Sequence, residues 1–267
     1  MSITVKNINY TYSKNTPFEK NALKNVSIEI EKGKMYLFIG HTGSGKSTLI
    51  NCFNGLIIPD SGEILIENIN LKEKSTNIKE IRKKVGIIFQ YPESQFFLPT
   101  VKEEIEYACK NFNVKFDELK LKRYFKLLGL SAEYLNKSPF NLSGGEMRKI
   151  AILSVLMYDP DYIIFDEPTV GLDYSTKKSI FETIKKLNEI GKTIILITHW
   201  ISDFLPLKPK VLMLKNSEVF FKGSFDNFVL INEKELENAG IIFDDKLKLY
   251  KCALLKDNNE KEIISNL

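Results

Sequence analysis

The sequence predicts an α/β fold. Its core is a mixed, mainly parallel sheet, with an antiparallel β subdomain at the N-terminal side and an inserted helical subdomain. Three observations carry this. Residues 40–48 read Gly-His-Thr-Gly-Ser-Gly-Lys-Ser-Thr, between an apolar run of strand length, Met35–Ile39, and a helix opening, Thr48–Phe53. The apolar strands Tyr162–Phe165 and Thr193–Thr198 flank a helical stretch, Ser175–Ile190, the rhythm of a parallel sheet with ligands at its carboxyl edge. Between Val101 and Lys137 apolar residues return at helical spacing.

The chain opens with alternation. Ile3, Val5, Ile8, Tyr10 and Tyr12, then Val26, Ile28 and Ile30, predict two strands of a small sheet, ended by Gly33. Pro59–Gly62 reads as a turn before the strand Glu63–Ile66. Val85–Phe89 is a buried-type strand that ends at Gln90. Val101, Ile105 and Ala108 mark one helix of the inserted lobe, and Leu119, Phe125 and Leu128 mark another. Past Gly223 the chain turns polar and poorly patterned. Residues 1–225 are therefore read as one domain, with the lobe at about 92–158, and residues 226–267 as an appendage and candidate dimerisation element. No internal repeat is evident.

The Gly-rich run fits the phosphate-binding pattern G-x-x-x-x-G-K-[ST], with Gly40, Gly45, Lys46 and Ser47 at the fixed places. Glycines let consecutive backbone N–H groups curl toward phosphate oxygens. Lys46 brings a positive charge toward the β- and γ-phosphates, and Ser47 offers a hydroxyl to Mg²⁺. His41, Thr42, Gly43, Ser44 and Thr48 complete the loop, and the phosphates would lie on the N-terminus of the following helix. His41 sits at a variable loop position and is not read as catalytic.

Other segments carry matching chemistry. The strand at Tyr162 ends in Asp166 and Glu167, the first placed to reach Mg²⁺ and the second to polarise the water that attacks the γ-phosphate. Pro168 cannot donate to a ladder and suits a strand's end. Ser143 and Glu146 form a capping-box pattern, and between them Gly144 and Gly145 suit a second anion site at a helix start. His199 follows a strand at the ligand edge, where it can contact a γ-phosphate and orient water. Gln90, also at a strand's end, is placed to sense Mg²⁺ and that water. Gly171-Leu172-Asp173 is a candidate dimer contact. Tyr12 is a candidate for stacking on adenine, with packing against Tyr10 on the same strand face as the alternative.

The bulk numbers exclude several classes. The 267 residues and 43% hydrophobic content suffice for one large domain with an appendage, or two small domains. No apolar stretch approaches the ~18 residues that cross a bilayer. The nearest, Ile150–Tyr158, contains Ser154. Without the apolar core of a signal peptide after Met1, the chain is expected in the cytoplasm, with any membrane role through a partner. Cys52, Cys109 and Cys252 match no metal or disulfide spacing and read as buried apolar thiols. A net charge of +4, without a long basic stripe, argues for no nucleic-acid partner.

In their order the motifs resemble those of ABC-type ATPases. They are Walker A at Gly40–Thr48, Gln90, the signature LSGGE at Leu142–Glu146, Walker B at Ile163–Glu167, Gly171–Asp173 and His199. Thr16-Pro17-Phe18-Glu19, the loop GHTGSGKST, Phe89–Glu93, and Ser138-Pro139-Phe140 running into the signature resemble the energy-coupling factor transporter ATPases. The last three are most similar to the second ATPase type of that family's heterodimers. The resemblance implies ATP and Mg²⁺ at a site shared head-to-tail with a second ABC ATPase subunit. It implies a transmembrane scaffold subunit and a membrane substrate-binding subunit for a vitamin or metal ion, which places the chain peripherally on the cytoplasmic face. It also implies a groove for a scaffold helix near Tyr91, Phe96 and Phe97, with core packing of the lobe as the alternative for these aromatics. Glu146 stands where Gln is also common and Trp200 follows the histidine; neither removes a catalytic group.

The rival class is a soluble ABC-type ATPase acting on DNA or ribosomes. The first kind separates Walker A from the signature by a long coiled coil, and the second carries two motif sets; this chain has neither feature. P-loop kinases and GTPases carry no signature of this kind.

Overall fold

The computed structural model describes residues 2–265 of the chain, and their side chains as far as residue 256. The elements run β1 (Ser2–Tyr12), β2 (Lys20–Glu31), β3 (Met35–Ile39), α1 (Lys46–Phe53), β4 (Ser61–Ile66), β5 (Ile69–Asn70), α2 (Ile78–Lys84) and β6 (Val85–Ile88). The helical lobe holds α3 (Val101–Asn111), α4 (Glu118–Leu128) and α5 (Gly144–Met157). Then come β7 (Tyr162–Asp166), α6 (Tyr174–Glu189), β8 (Thr193–Ile197), β9 (Lys210–Lys215), β10 (Glu218–Gly223), α7 (Phe225–Val229), α8 (Glu233–Glu237) and α9 (Asp245–Ser265).

Two sheets form. The N-terminal one has the order β2-β1-β4-β5 and pairs antiparallel, with Val5 opposite both Ile28 and Ile64. The larger has the order β10-β9-β3-β8-β7-β6, and all its pairs are parallel except β10 with β9. A parallel strand covered on both faces reads as an unbroken apolar run. Every residue of β3 and β8 is buried accordingly. Alternate residues of these strands face different cores. Leu37, Ile163 and Leu196 pack under the helical lobe, whereas Phe38, Ile164 and Ile195 pack toward α1 and the N-terminal sheet.

The lobe's helices are locally encoded. Thr100 and Glu103 make a capping box on α3. Asp117 caps α4, and Gly129 ends it in the left-handed region. Val101, Ile105, Leu121, Phe125 and Leu128 pack with Ile150 and Leu153 of α5 in one core.

The structure departs from the sequence reading in several places. Of the three aromatics after Gln90, Phe96 is buried in the core of the lobe; Tyr91 and Phe97 are exposed. Only Phe97 and Tyr91 are therefore available to a docking helix. Cys52 and Cys109 are buried as expected, but Cys252, on α9, is exposed. Phe89 lies outside β6, and its N–H donates to Gln95 Oε1 at 3.0 Å instead of continuing the ladder. The segment after Gly223 is well packed despite its polar composition. Phe225, Phe228, Leu236, Ile241 and Phe243 join the same core as the parallel sheet, and the Phe228 ring lies 5.7 Å from that of Phe243. Among the described residues no helix is long and apolar enough to cross a membrane.

Candidate functional site

The loop between β3 and α1 is shaped by its glycines. Gly45 adopts φ +107° and Gly40 φ +146°, left-handed values that disfavour a side chain. A Cβ on Gly40 would also stand 2.6 Å from Ser44 Oγ. Gly45 caps α1 with no side-chain hydrogen bond, and the first turn carries no acid. The helix's free N–H groups and dipole are thus left for an anion. Lys46 is buried. Its Nζ turns back on the loop, donating to Gly40 O at 2.6 Å and His41 O at 3.1 Å. Burial lowers its pKa, opposed by the carboxylates of Glu167 and Asp166. Ser44 Oγ is buried without a hydrogen-bond partner among the described residues. A cradle that side chains would fill, a lysine engaged only with carbonyls and an orphaned hydroxyl all fit a polyphosphate.

On one side of the loop a recess of about 140 Å³ is lined by Tyr12, Lys20, Ala22, Gly43 and the stretch from Gly45 to Thr48. Tyr12 is partly exposed. Its hydroxyl lies 3.2 Å from Thr48 Oγ1, and its ring meets Tyr10 edge-on at 4.9 Å. On the other side a recess of about 330 Å³ gathers Thr42, Gly43, Lys46, Ser47, Gln90, Asp166, Glu167 and His199. Residues far apart in sequence therefore converge there. Other recesses, of about 300 Å³ beside β9 and about 720 Å³ between α4 and α6, contain none of them.

The acidic pair is set by the end of β7. Burial raises the pKa of Asp166, opposed by Lys46 and Arg148. Glu167 turns left-handed, φ +46°, while its N–H donates to Ile197 O at 2.8 Å. Its Oε2 accepts from Thr198 Oγ1 at 3.0 Å and its Oε1 from the His199 N–H at 3.0 Å. Burial is the main cause that raises its pKa; the Thr198 hydrogen bond lowers it, and Asp166 adds to the rise. His199 Nε2 stands 3.6 Å from Glu167 Oε1. Burial and then Lys46 hold the imidazole's pKa down, so at neutral pH this contact is with a neutral ring and is no ion pair.

Ser143, Gly144, Gly145 and Glu146 line neither recess beside the loop. Ser143 caps α5 in a capping box, and both oxygens of Glu146 are engaged. One accepts from the Ser143 N–H and hydroxyl, the other from Tyr134 Oη at 2.5 Å, and these bonds hold the carboxyl at a pKa of about 2. The two glycines differ. A Cβ on Gly144 would meet nothing within 4 Å, whereas one on Gly145 would stand 2.9 Å from Thr176 Cγ2 of α6. Asp173 caps α6 by accepting from Thr176 N at 3.0 Å, and the Ser175 and Thr176 hydroxyls hold its carboxyl well below the usual range. Among the described residues no group of three or more His, Cys, Asp or Glu could hold a metal.

Sequence reasoning missed Arg148 and Thr198. Thr198 orients Glu167 as described. Arg148 is buried, and its Nη1 donates to the main-chain oxygen of Glu167 at 3.2 Å. In the sequence Arg148 stands beside a second cation, Lys149, at the start of the helix, so no local signal singled it out.

Residues 23–170 match the protein family described as ABC transporter. The chain is 41% identical to an energy-coupling factor transporter ATP-binding protein EcfA2 of Staphylococcus saprophyticus, over 96% of this chain and 95% of that one. Among solved structures it resembles cbiO1 of Clostridium perfringens, described as part of an ABC transporter complex, with TM-score 0.74 and 31% identity over 88% of this chain and 94% of that one. It also resembles a dimeric ATP-binding cassette in a post-hydrolysis state bound to ADP and Pi, with TM-score 0.74 and 31% identity over 84% and 98% of the two chains.

Proposed function

The chain belongs to the ABC transporter family, and on that premise we propose that it is the ATPase subunit of an energy-coupling factor importer, powering uptake of a vitamin or metal ion. Its activity is ATP hydrolysis coupled to transport. The observation that carries ATP hydrolysis is the recess in which Lys46, Ser47, Asp166, Glu167, Gln90 and His199 converge; the importer reading is supported by the 41% identity to an energy-coupling factor transporter ATP-binding protein over 96% of the chain.

The triphosphate of ATP would take the loop's N–H groups and draw the Lys46 ammonium away from the Gly40 and His41 carbonyls. Tyr12 lines the recess beside the loop and would stack on the adenine. Ser47, Asp166 and Gln90 would hold a Mg²⁺ ion, which when bound neutralises phosphate charge. Glu167 would accept a proton from the attacking water, its two oxygens fixed by Thr198 and the His199 N–H. The neutral His199 ring would donate to the γ-phosphate or the water. Ser143, Gly144 and Gly145 lie away from this recess, which supports a site completed by the signature of a second ATPase subunit. Glu146 would then act by capping the helix that presents them.

Membrane partners follow from the same reading: a transmembrane scaffold, a substrate-binding subunit, and a peripheral position on the cytoplasmic face. The test is to purify the chain from membranes with its co-purifying subunits, reconstitute the complex in vesicles, and measure ATP-dependent uptake of vitamins and metal ions. Full ATPase activity in a chain that never fractionates with membranes would overturn the reading. A soluble ATPase acting on DNA or ribosomes is not favoured.

A further inference from the structure

Arg148 is a buried cation that the chemistry above does not use. It sits on α5, two residues before the run Ile150–Met157, which is apolar and buried apart from Ser154, and is 4% exposed. Burying a guanidinium is costly unless its donors are met, and here they are met only in part. Nη1 donates to Glu167 O at 3.2 Å and makes a longer contact, 3.5 Å, with Phe89 O, while Nε has no partner among the described residues. An apolar side chain would fill the same space without that cost. The site therefore keeps the charge for what it touches.

What it touches is informative. Glu167 O belongs to a residue at φ +46°, a backbone state that a non-glycine residue keeps only when its surroundings impose it. That oxygen has one other donor, the Val170 N–H at 3.4 Å. Phe89 O immediately precedes Gln90. The helix that carries Arg148 begins at Ser143. One guanidinium thus reaches from the signature helix to both ends of the hydrolytic machinery.

We propose that Arg148 is a positioning residue for hydrolysis: its guanidinium holds the Glu167 peptide in the left-handed turn that sets the carboxylate in the recess, and ties that turn to the root of Gln90. The proposal rests on Glu167 as the base. It makes Arg148 act through Glu167 and leaves nucleotide binding to the loop between β3 and α1.

The test is a mutant cycle in the full chain within its ATPase complex, with Arg148→Met, Glu167→Gln and the double variant. Single-turnover hydrolysis and equilibrium ATP binding are read for each. Arg148→Met should lower the hydrolysis rate by at least ~10-fold and change ATP affinity by less than ~2-fold, the split expected when only the chemical step is touched. Arg148→Lys, which keeps the charge and one donor, should recover part of the rate. In the Glu167→Gln background Arg148→Met should cost no further rate. An equal loss in both backgrounds, or no loss in either, overturns the proposal. If Arg148→Met does not fold, Arg148→Lys takes its place in the same cycle, and a loss confined to the Glu167 background again supports the proposal. If Glu167→Gln leaves the rate unchanged, the base reading itself falls and takes this one with it. If Glu167→Gln stops hydrolysis and Arg148→Met does not slow it, only the role of Arg148 falls.

Discussion

Gly240 of the C-terminal segment lies directly against His41 of the phosphate-binding loop: a Cβ built on residue 240 would stand 2.8 Å from that of His41. Gly240 lies in the turn that follows α8, in the left-handed region at φ +75°, with its N–H donating to Glu237 O. The C-terminal segment thus backs the loop that is proposed to hold the nucleotide.

Gly240→Ala should therefore weaken ATP binding as well as stability. The left-handed backbone alone costs about 1–2 kcal/mol with a Cβ. The close approach to His41 adds a push on the loop. Repeating the substitution in a His41→Gly chain separates the two, since the backbone strain remains and the clash is gone. ATP titrations should show the affinity loss only with His41 present. Equal losses in both chains would mean that the contact does not reach the loop.

Lys46→Ala should nearly abolish ATP binding. It removes the buried cation beside the phosphates and leaves their charge less compensated. Equilibrium binding at fixed salt checks this, and near-normal affinity would remove the loop from the site.

Glu167→Gln should keep ATP binding and lower turnover by at least ~10²-fold, the scale of a general base. The ATP-bound pair should accumulate, because hydrolysis normally opens it. The pH dependence carries a sign. Burial raises the Glu167 pKa above the ordinary carboxylate value, and only the ionised form accepts a proton. Activity should thus be complete above the raised pKa and fall as pH drops through it. The stability contribution runs the other way: the folded chain binds the extra proton, so stability is lost as pH rises through that same window. A kcat profile whose acid limb lies at or below the ordinary carboxylate value would place the base elsewhere.

The phosphate loop, both acids, Gln90 and His199 were legible because each is a short polar motif at the carboxyl end of a strand with an apolar signature. The parallel strands were legible for the same reason, since burial on both faces leaves no polar interruption. The C-terminal packing was not. Phe225, Phe228 and Phe243 bury from short elements whose contacts are long-range, so no period survives in the sequence. Arg148 and Thr198 act on Glu167 through space, and nothing in their local sequence points to it. The two signature glycines looked alike as neighbours, yet only Gly145 is held to glycine by the approach of Thr176.

The aromatic loop after Gln90 yields the last prediction, because the structure divides it. Phe96 is 6% exposed and belongs to the lobe's core, whereas Phe97 is 60% exposed and Tyr91 62%. The Phe97 ring meets Tyr107 edge-on at 4.9 Å. The buried carboxylate of Glu104 holds the loop in this shape by accepting from the N–H groups of Phe97 and Leu98, at 2.5 and 2.6 Å. Two exposed aromatics on a pinned loop would make an anchor for a helix of the proposed membrane subunit. Tyr91→Ser with Phe97→Ser should then release the chain from that subunit and end transport, while ATP binding and the thermal midpoint stay near normal. Phe96→Ser should instead cost stability by about 3–5 kcal/mol, the range for emptying a buried phenylalanine site. Co-purification and thermal melts of both variants distinguish the roles. A Tyr91/Phe97 double variant that remains bound and transports would move the docking surface elsewhere, and one that melts early would make these rings part of the fold.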